Sequence, residues 1–477
     1  MGKYSRLGKN TLLVFVGTGG SRIIGLLMLP FYTRWLSLGD YGTTDIINVY
    51  VALLLGLATG CISDSVFVFP KGQPVEKQKY YFSSGLFFSF ISLIITAVLF
   101  ELAGMIFEYN SISNSFTANI WLIYGLLVTT FLQRYIQQFT RSIDKMVVYS
   151  ISGVVLTAGT ALFSFLIIPR WGVYGYVMAM ILANLSAAIY SLLFSKAFKY
   201  INIKAIRKAE CVEMLKYSLP LVPNSIMWWL VNALNRPIME SLSGMDSIGI
   251  FAVANKFPGM VAIIFSVFAA SWQISVLEEF GKEGYSKFYN KMFRLVVFGL
   301  MLMFFMIAAG SKLLVTIFTT ADFYEAWKYI PVLTLGVVFS NISSFTGCNF
   351  SATKESKYFF YSSIYGSLLA IILNFLLIPL WGVMGAALSV LLSFSGMAIS
   401  RIIYSSKYVK IKNIGIYLLM LLIGILTIMV LLNVQTVWLK NILTLLLFFG
   451  FLYINRELKG DFVKLYLKTK SRLCGMR

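Results

Sequence analysis

The sequence predicts an all-α polytopic membrane protein, and three observations support this prediction. Of the 477 residues, 58% are hydrophobic and only 12% are charged. A soluble protein of this length cannot bury so much apolar surface. Apolar stretches of about 20 residues, the length that crosses a bilayer as a helix, recur along the whole chain. The positive charges, which give a formal net charge of +21, lie in the short loops between these stretches.

About fourteen transmembrane helices are predicted from apolar runs that end at charges or at Pro/Gly turns. Several runs exceed the ~20 residues that a bilayer requires, which indicates tilt or extension beyond the lipid. The predicted spans lie near residues 11–35, 42–69, 80–107, 117–140, 146–168, 173–195, 214–240, 247–277, 290–318, 328–350, 357–378, 383–405, 414–432 and 437–454.

The loops alternate between cation-rich and cation-poor, which fixes the orientation. By the positive-inside rule, the cation-rich loops and both termini are cytoplasmic, and this requires an even number of spans. Nucleic-acid binding would not require such alternation. The cation-rich loops carry Lys3/Arg6/Lys9, Lys71/Lys77/Lys79, Arg141/Lys145, the run Lys196–Lys216, Lys282/Lys287, Lys354/Lys357 and Lys407/Lys410/Lys412.

An internal repeat organises the chain. The segment Leu166–Gly175 matches Leu376–Gly385, and the shared Pro, Trp, Gly, Val and second Gly coincide 210 residues apart. We interpret each copy as a tight periplasmic turn, in which Pro ends a helix, Trp anchors at the interface and Gly permits reversal. A weaker echo links Asp40-Tyr41-Gly42 with Asp246-Ser247-Ile248-Gly249.

Spans one to six and seven to twelve are therefore predicted to be two copies of one six-helix lobe. An even number of spans per copy makes the repeat parallel, about an axis along the membrane normal. We predict an N-terminal lobe at 1–198, a cytoplasmic linker at 199–212, a C-terminal lobe at 213–412, and spans 13–14 with a basic cytoplasmic tail at 413–477. The basic linker region should also contact anionic lipid headgroups.

Two cations are predicted to lie deep in the bilayer. Arg22 is roughly 18 Å beyond Asn10, near the middle of a hydrocarbon core about 30 Å thick. A lipid-facing arginine there costs at least about 3 kcal/mol, so its side chain should face protein or water. Lys256 lies roughly 13 Å inside span eight and precedes Pro258, where we expect a kink. The alternative for Lys256 is a structural ion pair, for instance with Asp45.

Further ionisable residues lie in or at the edges of the spans. Arg34 and Arg236 join Arg22 and Lys256 as candidates for substrate binding, and Asp45, Asp64 and Glu240 are candidates for ion coupling. Other interpretations remain open, since Arg34 could be an interfacial anchor and Arg236 could pair with Glu240 four residues later. Asp64, Arg134 and Arg401 lie near cytoplasmic ends, where such residues snorkel or cap helices. The deepest positions carry more cations than acids, which indicates a polyanionic substrate.

Span seven contains Pro220, Pro223 and Pro237. Discontinuous helices of this kind are typical of a transport path.

Enzymatic and cofactor functions find no support in the sequence. Histidine is absent, and the four cysteines (Cys61, Cys211, Cys348 and Cys474) have no metal-ligand spacing. They are expected to stay reduced near the cytoplasmic face. No phosphate loop, zinc motif or nucleophile elbow is present. We therefore expect a protein that is not an enzyme and that binds no cofactor or metal. The aromatic residues, 16% of the chain, are interpreted as interfacial belts and packing.

The chain resembles the bacterial flippases of polysaccharide repeat units, of the O-antigen and capsule type. They belong to the multidrug/oligosaccharidyl-lipid/polysaccharide exporter superfamily. The matching segments are Thr33–Leu36 with Asp40–Gly42, Gly249–Lys256, and the two Ile-Pro-x-Trp-Gly-Val-x-Gly turns. With the 6 + 6 + 2 layout, the resemblance covers essentially the whole chain.

The resemblance implies a MATE-like fold in the bacterial inner membrane. It also implies that undecaprenyl-diphosphate-linked oligosaccharide moves from the cytoplasmic to the periplasmic leaflet by alternating access. A central cationic cavity would contact the diphosphate or an acidic sugar through Arg22, Arg34, Arg236 and Lys256. Expected partners are the lipid-linked glycan, membrane lipid, a polysaccharide polymerase and a chain-length regulator, but no nucleic acid. The alternatives are a peptidoglycan-precursor (lipid II) flippase, a multidrug extruder and a membrane scaffold without transport activity.

Overall fold

The computed structural model describes residues 24–353 and 355–456. These residues form helices joined by short turns and contain no β-strand. The α-helices are α1 Leu29–Trp35, α2 Leu38–Thr59, α3 Ile62–Val68, α4 Val75–Tyr109, α5 Ser115–Ala118, α6 Ile120–Ser142, α7 Met146–Phe194, α8 Lys208–Ser218, α9 Leu221–Asn232, α10 Asn235–Glu279, α11 Tyr285–Ala309, α12 Ser311–Phe318, α13 Ile330–Ala352, α14 Ser356–Ser405, α15 Ile414–Asn433 and α16 Val437–Ile454. Short 3₁₀ helices occur at Ala197–Tyr200, Ile203–Ala205 and Ala321–Lys328.

The predicted all-α polytopic fold is confirmed. Within the described part of the chain, nine helical stretches are long and apolar enough to cross a membrane. Three of these stretches, Met146–Phe194, Lys208–Glu279 and Lys357–Ser405, each contain two of the predicted spans. Thirteen of the fourteen predicted spans lie wholly among the described residues, and α1 is the described end of the first.

The two copies of the repeated turn have the same backbone conformation. Gly172 has φ 50° and ψ −127°, and Gly382 has φ 52° and ψ −124°. A Cβ placed on Gly175 would lie 2.8 Å from the carbonyl oxygen of Ile167, eight residues earlier. A continuous helix would separate those positions by about 12 Å, so the chain must turn back at the glycine. Gly385 contacts Leu377 in the same way, which supports the predicted repeat.

The prediction that proline ends the helix at each turn is wrong. Pro169 and Pro379 lie inside helical segments, and the backbone first leaves the helical region at the glycine three residues later. Proline removes one hydrogen bond and can kink a helix, but it cannot supply a positive φ. Glycine adopts that conformation without a steric penalty, so it sets the position of the turn.

Several other predicted boundaries also differ from the structure. Span two is two helices, since Gly60 and Cys61 both have positive φ and separate α2 from α3. The predicted ninth span is likewise divided at Gly310, between α11 and α12. The interruption of span seven is confirmed, because α8, α9 and α10 are separate helices there. Apolar composition extends across such breaks, so it cannot reveal them.

The segment Asp40-Tyr41-Gly42 lies near the start of α2, and each residue has a structural role. Ser37 and Asp40 form a capping box, in which the Asp40 backbone N–H donates to the Ser37 hydroxyl at 3.1 Å. This arrangement satisfies backbone donors that the first turn of a helix leaves unpaired. Tyr41 is buried and its ring packs edge-on against Phe323.

Gly42 lies at a close and reciprocal helix crossing with Gly249 of α10. A Cβ on Gly42 would lie 2.2 Å from the carbonyl oxygen of Met245, and a Cβ on Gly249 would lie 2.1 Å from that of Leu38. Leu38 lies four residues before Gly42 in α2, and Met245 lies four residues before Gly249 in α10. Each glycine therefore packs against the carbonyl that lies one helical turn before the other glycine. The two segments linked by the sequence echo therefore contact each other at their glycines.

The chain divides into two compact units. The first contains the described residues up to Lys256 together with Thr316–Tyr324 and Gly366–Ser389. The second contains Phe257–Val315, Glu325–Tyr365 and the described residues from Val390 onward. The lobe limits predicted at residues 198 and 412 rest on the repeat and stay a prediction. The polar groups discussed next lie mainly within the first unit.

We predict that Gly42→Ala and Gly249→Ala each destabilise the protein. The added methyl group would collide with backbone atoms, which cannot rotate away as a side chain can, and overpacking of this kind costs about 1–3 kcal/mol. The apparent melting temperature of the purified protein in detergent should fall for both variants. Gly104→Ala is the matched control, since a methyl group there would have no described atom within 4 Å. An unchanged melting temperature for Gly42→Ala would contradict the tight crossing.

Candidate functional site

Arg236 and Asp45 form a buried ion pair in the first unit. Arg236 Nε donates to Asp45 Oδ2 at 3.1 Å, and the two side chains are 5% and 20% exposed. Arg236 lies at the start of α10, where Pro237 fits the first turn because the missing N–H would have no helical partner there. The discontinuity of span seven therefore places this arginine beside α2.

Further contacts hold the Arg236 guanidinium in place. Its Nη1 donates to Asn235 Oδ1 at 2.8 Å and to the backbone carbonyl of Asn232. The guanidinium carbon also lies 4.6 Å from the centre of the Phe251 ring. Asn232 is the last residue of α9, so the arginine satisfies a carbonyl that the broken helix leaves unpaired. Arg236 thus pairs with Asp45 and not with Glu240, the partner considered from the sequence.

Glu240 has a different set of partners in the same unit. Its Oε1 accepts the backbone N–H of Ser115 at 2.5 Å, and its Oε2 accepts the Tyr50 hydroxyl at 3.3 Å. Ser115 is the first residue of the short helix α5, whose early N–H groups have no partner within that helix. The carboxylate therefore connects α10 to α2 and to the loop before α6.

Lys256 lies within electrostatic range of two tyrosines and forms no ion pair among the described residues. Its ammonium interacts electrostatically with the hydroxyls of Tyr32 and Tyr176, whose rings are 5.4 Å apart. Tyr32 also shares a 3.2 Å hydrogen bond with Ser164. Among the described residues, no carboxylate lies within ion-pair distance of Lys256. The ion pair with Asp45, considered from the sequence, is not present, because Asp45 pairs with Arg236.

Asp45 and Lys256 are linked through shared tyrosine neighbours. Asp45 interacts electrostatically with Tyr41 and Tyr176, and Tyr176 also lies within range of Lys256. We call Tyr32, Tyr41, Asp45, Tyr176, Arg236 and Lys256 the polar cluster. Its one carboxylate is neutralised by the arginine, so the cluster keeps the positive charge of Lys256 and several hydroxyl donors. Such a group suits an anion, and especially a phosphate oxygen.

The other predicted site residues lie apart from the polar cluster or outside the described residues. Arg22 lies outside them. Arg34 is exposed in the last turn of α1, where a cation complements the helix dipole. Asp64 pairs with Arg134 at 3.0 Å, with the two side chains 36% and 44% exposed. This is a solvated pair whose contribution to stability is small.

Arg401 lies in the second unit and does not snorkel as expected. It is 1% exposed and donates to the hydroxyls of Ser362 and Ser363 and to the carbonyl of Ser343. Its guanidinium carbon lies 4.0 Å from the centre of the Phe359 ring. The arginine therefore connects the last turns of α14 with the first turns of the same helix and with α13, which is a structural role.

Three members of the polar cluster were missed from the sequence. Tyr32, Tyr41 and Tyr176 were grouped with the interfacial and packing aromatics, whereas Tyr32 and Tyr41 are only 6% and 3% exposed. A usable signal was present, because Tyr41 and Tyr176 lie inside or directly beside the repeated Gly segments. A tyrosine in such a segment needs a partner for its hydroxyl when it is buried.

Within the described ranges, no group of three or more His, Cys, Asp or Glu side chains could hold a metal ion. Cys61, Cys211 and Cys348 are free thiols, and Cys474 lies outside the described residues. The polar cluster consists of hydroxyl donors, the neutralised Arg236–Asp45 pair and the cation of Lys256. Such a set of groups can bind and orient an anionic group.

The fold is shared with membrane transporters of known structure. Lipid II flippase MurJ in an inward closed conformation is 20% identical with a TM-score of 0.63, and the match covers 94% of this chain and 99% of that chain. A multidrug resistance MATE transporter of the MOP superfamily in an inward-facing conformation is 14% identical, with a TM-score of 0.61 and coverage of 83% and 94%. Its outward-facing conformation gives 13% identity and a TM-score of 0.58, with the same coverage. At these identities the likeness shows the fold, and it confirms the predicted MATE-like architecture.

The family described as polysaccharide biosynthesis protein matches residues 7–272, which is more than half of the chain. The chain belongs to this family. No curated protein sequence matches it significantly. The matched range includes every member of the polar cluster, so the cluster lies in the part of this polysaccharide biosynthesis protein that carries the family's sequence pattern.

We predict that Asp45→Asn destabilises the protein strongly. The change would leave Arg236 buried without a counter-charge, and breaking a buried ion pair costs about 3–5 kcal/mol. The double variant Asp45→Asn/Arg236→Gln should recover part of that loss, because no unpaired charge remains. A double-mutant cycle of melting temperatures in detergent measures the coupling.

The exposed pair of Asp64 and Arg134 provides the matched control for this cycle. Asp64→Asn should cost about 1 kcal/mol or less, because water solvates the remaining arginine. If Asp45→Asn and Asp64→Asn lowered the melting temperature equally, Arg236 and Asp45 would not form a buried pair in which each charge needs the other.

Proposed function

We propose that this protein is a flippase for undecaprenyl-diphosphate-linked oligosaccharide repeat units. It moves them from the cytoplasmic to the periplasmic leaflet by alternating access through a cationic cavity. The observation that carries the proposal is Lys256, a half-buried cation within electrostatic range of two tyrosine hydroxyls, with no ion-pair partner among the described residues. The family match and the transporter fold support the same conclusion.

The chemistry of the polar cluster suits a diphosphate. Moving a charged phosphate into a low-dielectric interior without partners is prohibitive, but charge-assisted hydrogen bonds make it tolerable. Lys256 would contribute a cation, and the neighbouring tyrosine hydroxyls would donate further hydrogen bonds. Arg22 and Arg34 are proposed as additional contacts for the diphosphate or an acidic sugar. In the proposed mechanism, Arg236 keeps Asp45 neutralised so that the acid does not repel the substrate.

The energy source is proposed to include the membrane potential. With a negative cell interior, outward movement of an anion gains about 2.3 kcal/mol per charge for each 100 mV. Asp45, Asp64 and Glu240 remain proposed sites for coupling to protons or sodium ions. Glu240 is the best placed of the three, since it connects α10 with α2 and the start of α5 and could change partners when the helices move.

An apolar groove in the second unit could hold the polyprenyl chain of the substrate. The groove has a volume of about 510 Å³ and its lining is almost wholly apolar. Phe293, Val297 and Met301 of α11 form one side, and Leu418 and Ile425 of α15 form part of the other. In the proposal, the lipid chain stays in such an apolar environment while the hydrophilic head crosses the protein.

The protein is proposed to lie in the bacterial inner membrane with both termini in the cytoplasm. The alternation of cation-rich loops supports the cytoplasmic termini, and membership of the family supports the bacterial membrane. A polysaccharide polymerase and a chain-length regulator are proposed partners, because they would use the unit delivered to the periplasmic leaflet. O-antigen and capsule synthesis are the proposed pathways, since both use lipid-linked repeat units.

We predict that Lys256→Gln abolishes or strongly reduces delivery of the repeat unit, whereas Lys256→Arg keeps much of it. Removing the cation removes a charge-assisted contact, and arginine restores the charge. The measurement is surface polysaccharide in a strain whose own flippase gene is deleted, with protein level checked by immunoblot. Lys282→Gln is the matched control, because Lys282 is an exposed lysine that pairs with Glu279.

One outcome of this experiment, and two outcomes of companion assays, would contradict the proposal. Full function of Lys256→Gln would remove the role of the cation. Rescue of a strain depleted of its lipid II flippase, without rescue of surface polysaccharide, would assign the peptidoglycan precursor as substrate. If the wild-type protein exports drugs but does not restore surface polysaccharide, and Lys256→Gln exports drugs equally well, the protein would be a multidrug extruder.

We also predict that Ser395→Phe impairs transport by filling the apolar groove. Ser395 lines the groove and its hydroxyl donates only within its own helix, to the carbonyl of Leu391, so the change removes no hydrogen bond between helices. Transport in proteoliposomes should fall several-fold for a long polyprenyl substrate and less for a short-chain analogue. Ser400→Phe, on the same helix but outside the groove lining, is the control. Equal impairment for both chain lengths would contradict a lipid-chain role.

A further inference from the structure

A second apolar groove lies in the first unit and is separate from the polar cluster. It has a volume of about 470 Å³ and almost no polar lining. Two of its walls come from α4 and α6, and the linker after α7 closes one end. The lining residues are Ser83, Leu86, Phe87, Phe90, Leu93, Val128, Phe131, Leu132, Ile201, Asn202, Ile203 and Ile206.

The linker is fixed to α4 by hydrogen bonds and is thus part of the groove. Ser83 Oγ donates to the carbonyl of Tyr200 at 2.8 Å and accepts the backbone N–H of Asn202 at 3.0 Å. Ser84 Oγ accepts the backbone N–H of Arg207 at 2.8 Å. These bonds use backbone atoms of the linker, so the exposed side chains of Ile203 and Lys204 take no part in them. Ala205 is buried, and the exposed Arg207 guanidinium carbon lies 5.2 Å from the centre of the Tyr80 ring.

The linker combines exposed apolar and cationic side chains. Ile203 is 84% exposed although it lines the groove, and Lys199, Lys204 and Arg207 are also exposed. Residues 196–208 contain five cations and no acid. An apolar side chain that is this exposed beside several cations is typical of a segment at the membrane interface.

The length of the groove matches one leaflet of a bilayer. It follows α4 from Ser83 to Leu93, ten residues or about 15 Å along a helix. This is half of a hydrocarbon core about 30 Å thick. A chain that enters at the linker would therefore reach the middle of the membrane, as an acyl chain of the cytoplasmic leaflet does.

We propose that this groove binds one anionic phospholipid of the cytoplasmic leaflet. One acyl chain lies between α4 and α6, and the phosphate contacts Lys204 and Arg207. The bound lipid joins the linker to the leaflet and keeps its isoleucines out of water. The site rests on the proposed orientation, which places the linker at the cytoplasmic face, but not on the proposed flippase function, since it shares no residue with the polar cluster or with the groove of the second unit.

The test is native mass spectrometry of the full-length protein, purified in a mild detergent. Either phosphatidylglycerol or phosphatidylethanolamine is added before the measurement. The wild type should retain one phosphatidylglycerol in preference to phosphatidylethanolamine. The double variant Lys204→Gln/Arg207→Gln should lose about tenfold or more of that retention, because two cations near a lipid phosphate are removed. Ile203→Asn should also weaken retention, and its 84% exposure means that folding is not at risk.

Lys77→Gln/Lys216→Gln is the matched control, since both lysines are exposed in the first unit and neither lines the groove. Its retention of phosphatidylglycerol should equal that of the wild type. The proposal is overturned if both lipids are retained equally, or if the groove variant and the control variant lose retention to the same extent. It is also overturned if Lys204→Gln/Arg207→Gln binds phosphatidylglycerol as the wild type does.

Discussion

The ion pair between Arg236 and Asp45 determines which charge of the polar cluster is left unpaired. A buried guanidinium is tolerated only when its charge and its N–H groups have partners, and Asp45, Asn235 and the end of α9 provide them. Asp45 is the one carboxylate of the polar cluster, and the pair with Arg236 neutralises it. Lys256 is therefore left without an ion-pair partner among the described residues, and the cluster has a net positive charge that favours anions.

The repeat explains why glycine has such a strong influence on this fold. Gly172 and Gly382 take up the same positive-φ conformation, and Gly42 and Gly249 let two backbones approach each other closely. In both cases the constraint is steric, because a Cβ would meet backbone atoms or strain the turn. Small residues are the usual means of bringing helices together in a membrane, where burial of apolar surface provides little driving force.

Much of the fold could be predicted from the sequence because membranes impose simple rules on composition. Length and hydrophobicity predict the spans, and loop charges indicate their orientation. The breaks at Gly60 and Gly310 were not found this way, because apolar stretches on both sides of each glycine were joined into one predicted span. The partners of the buried side chains could not be predicted from the sequence either. Spacing made Glu240 a plausible partner for Arg236, but the helix break between α9 and α10 turns the arginine toward Asp45 on α2.

The contrast between Lys256 and Arg401 shows how the setting of a cation separates structural from functional candidates. Arg401 is fully enclosed, and serine hydroxyls and a backbone carbonyl satisfy its donors, so little capacity is left for a ligand. Lys256 is only half-buried, and its neighbours are hydroxyls that can themselves donate to an anion. An arginine whose three guanidinium nitrogens all donate hydrogen bonds stabilises the protein, whereas a lysine without an ion-pair partner among the described residues has a charge that can attract the proposed phosphate.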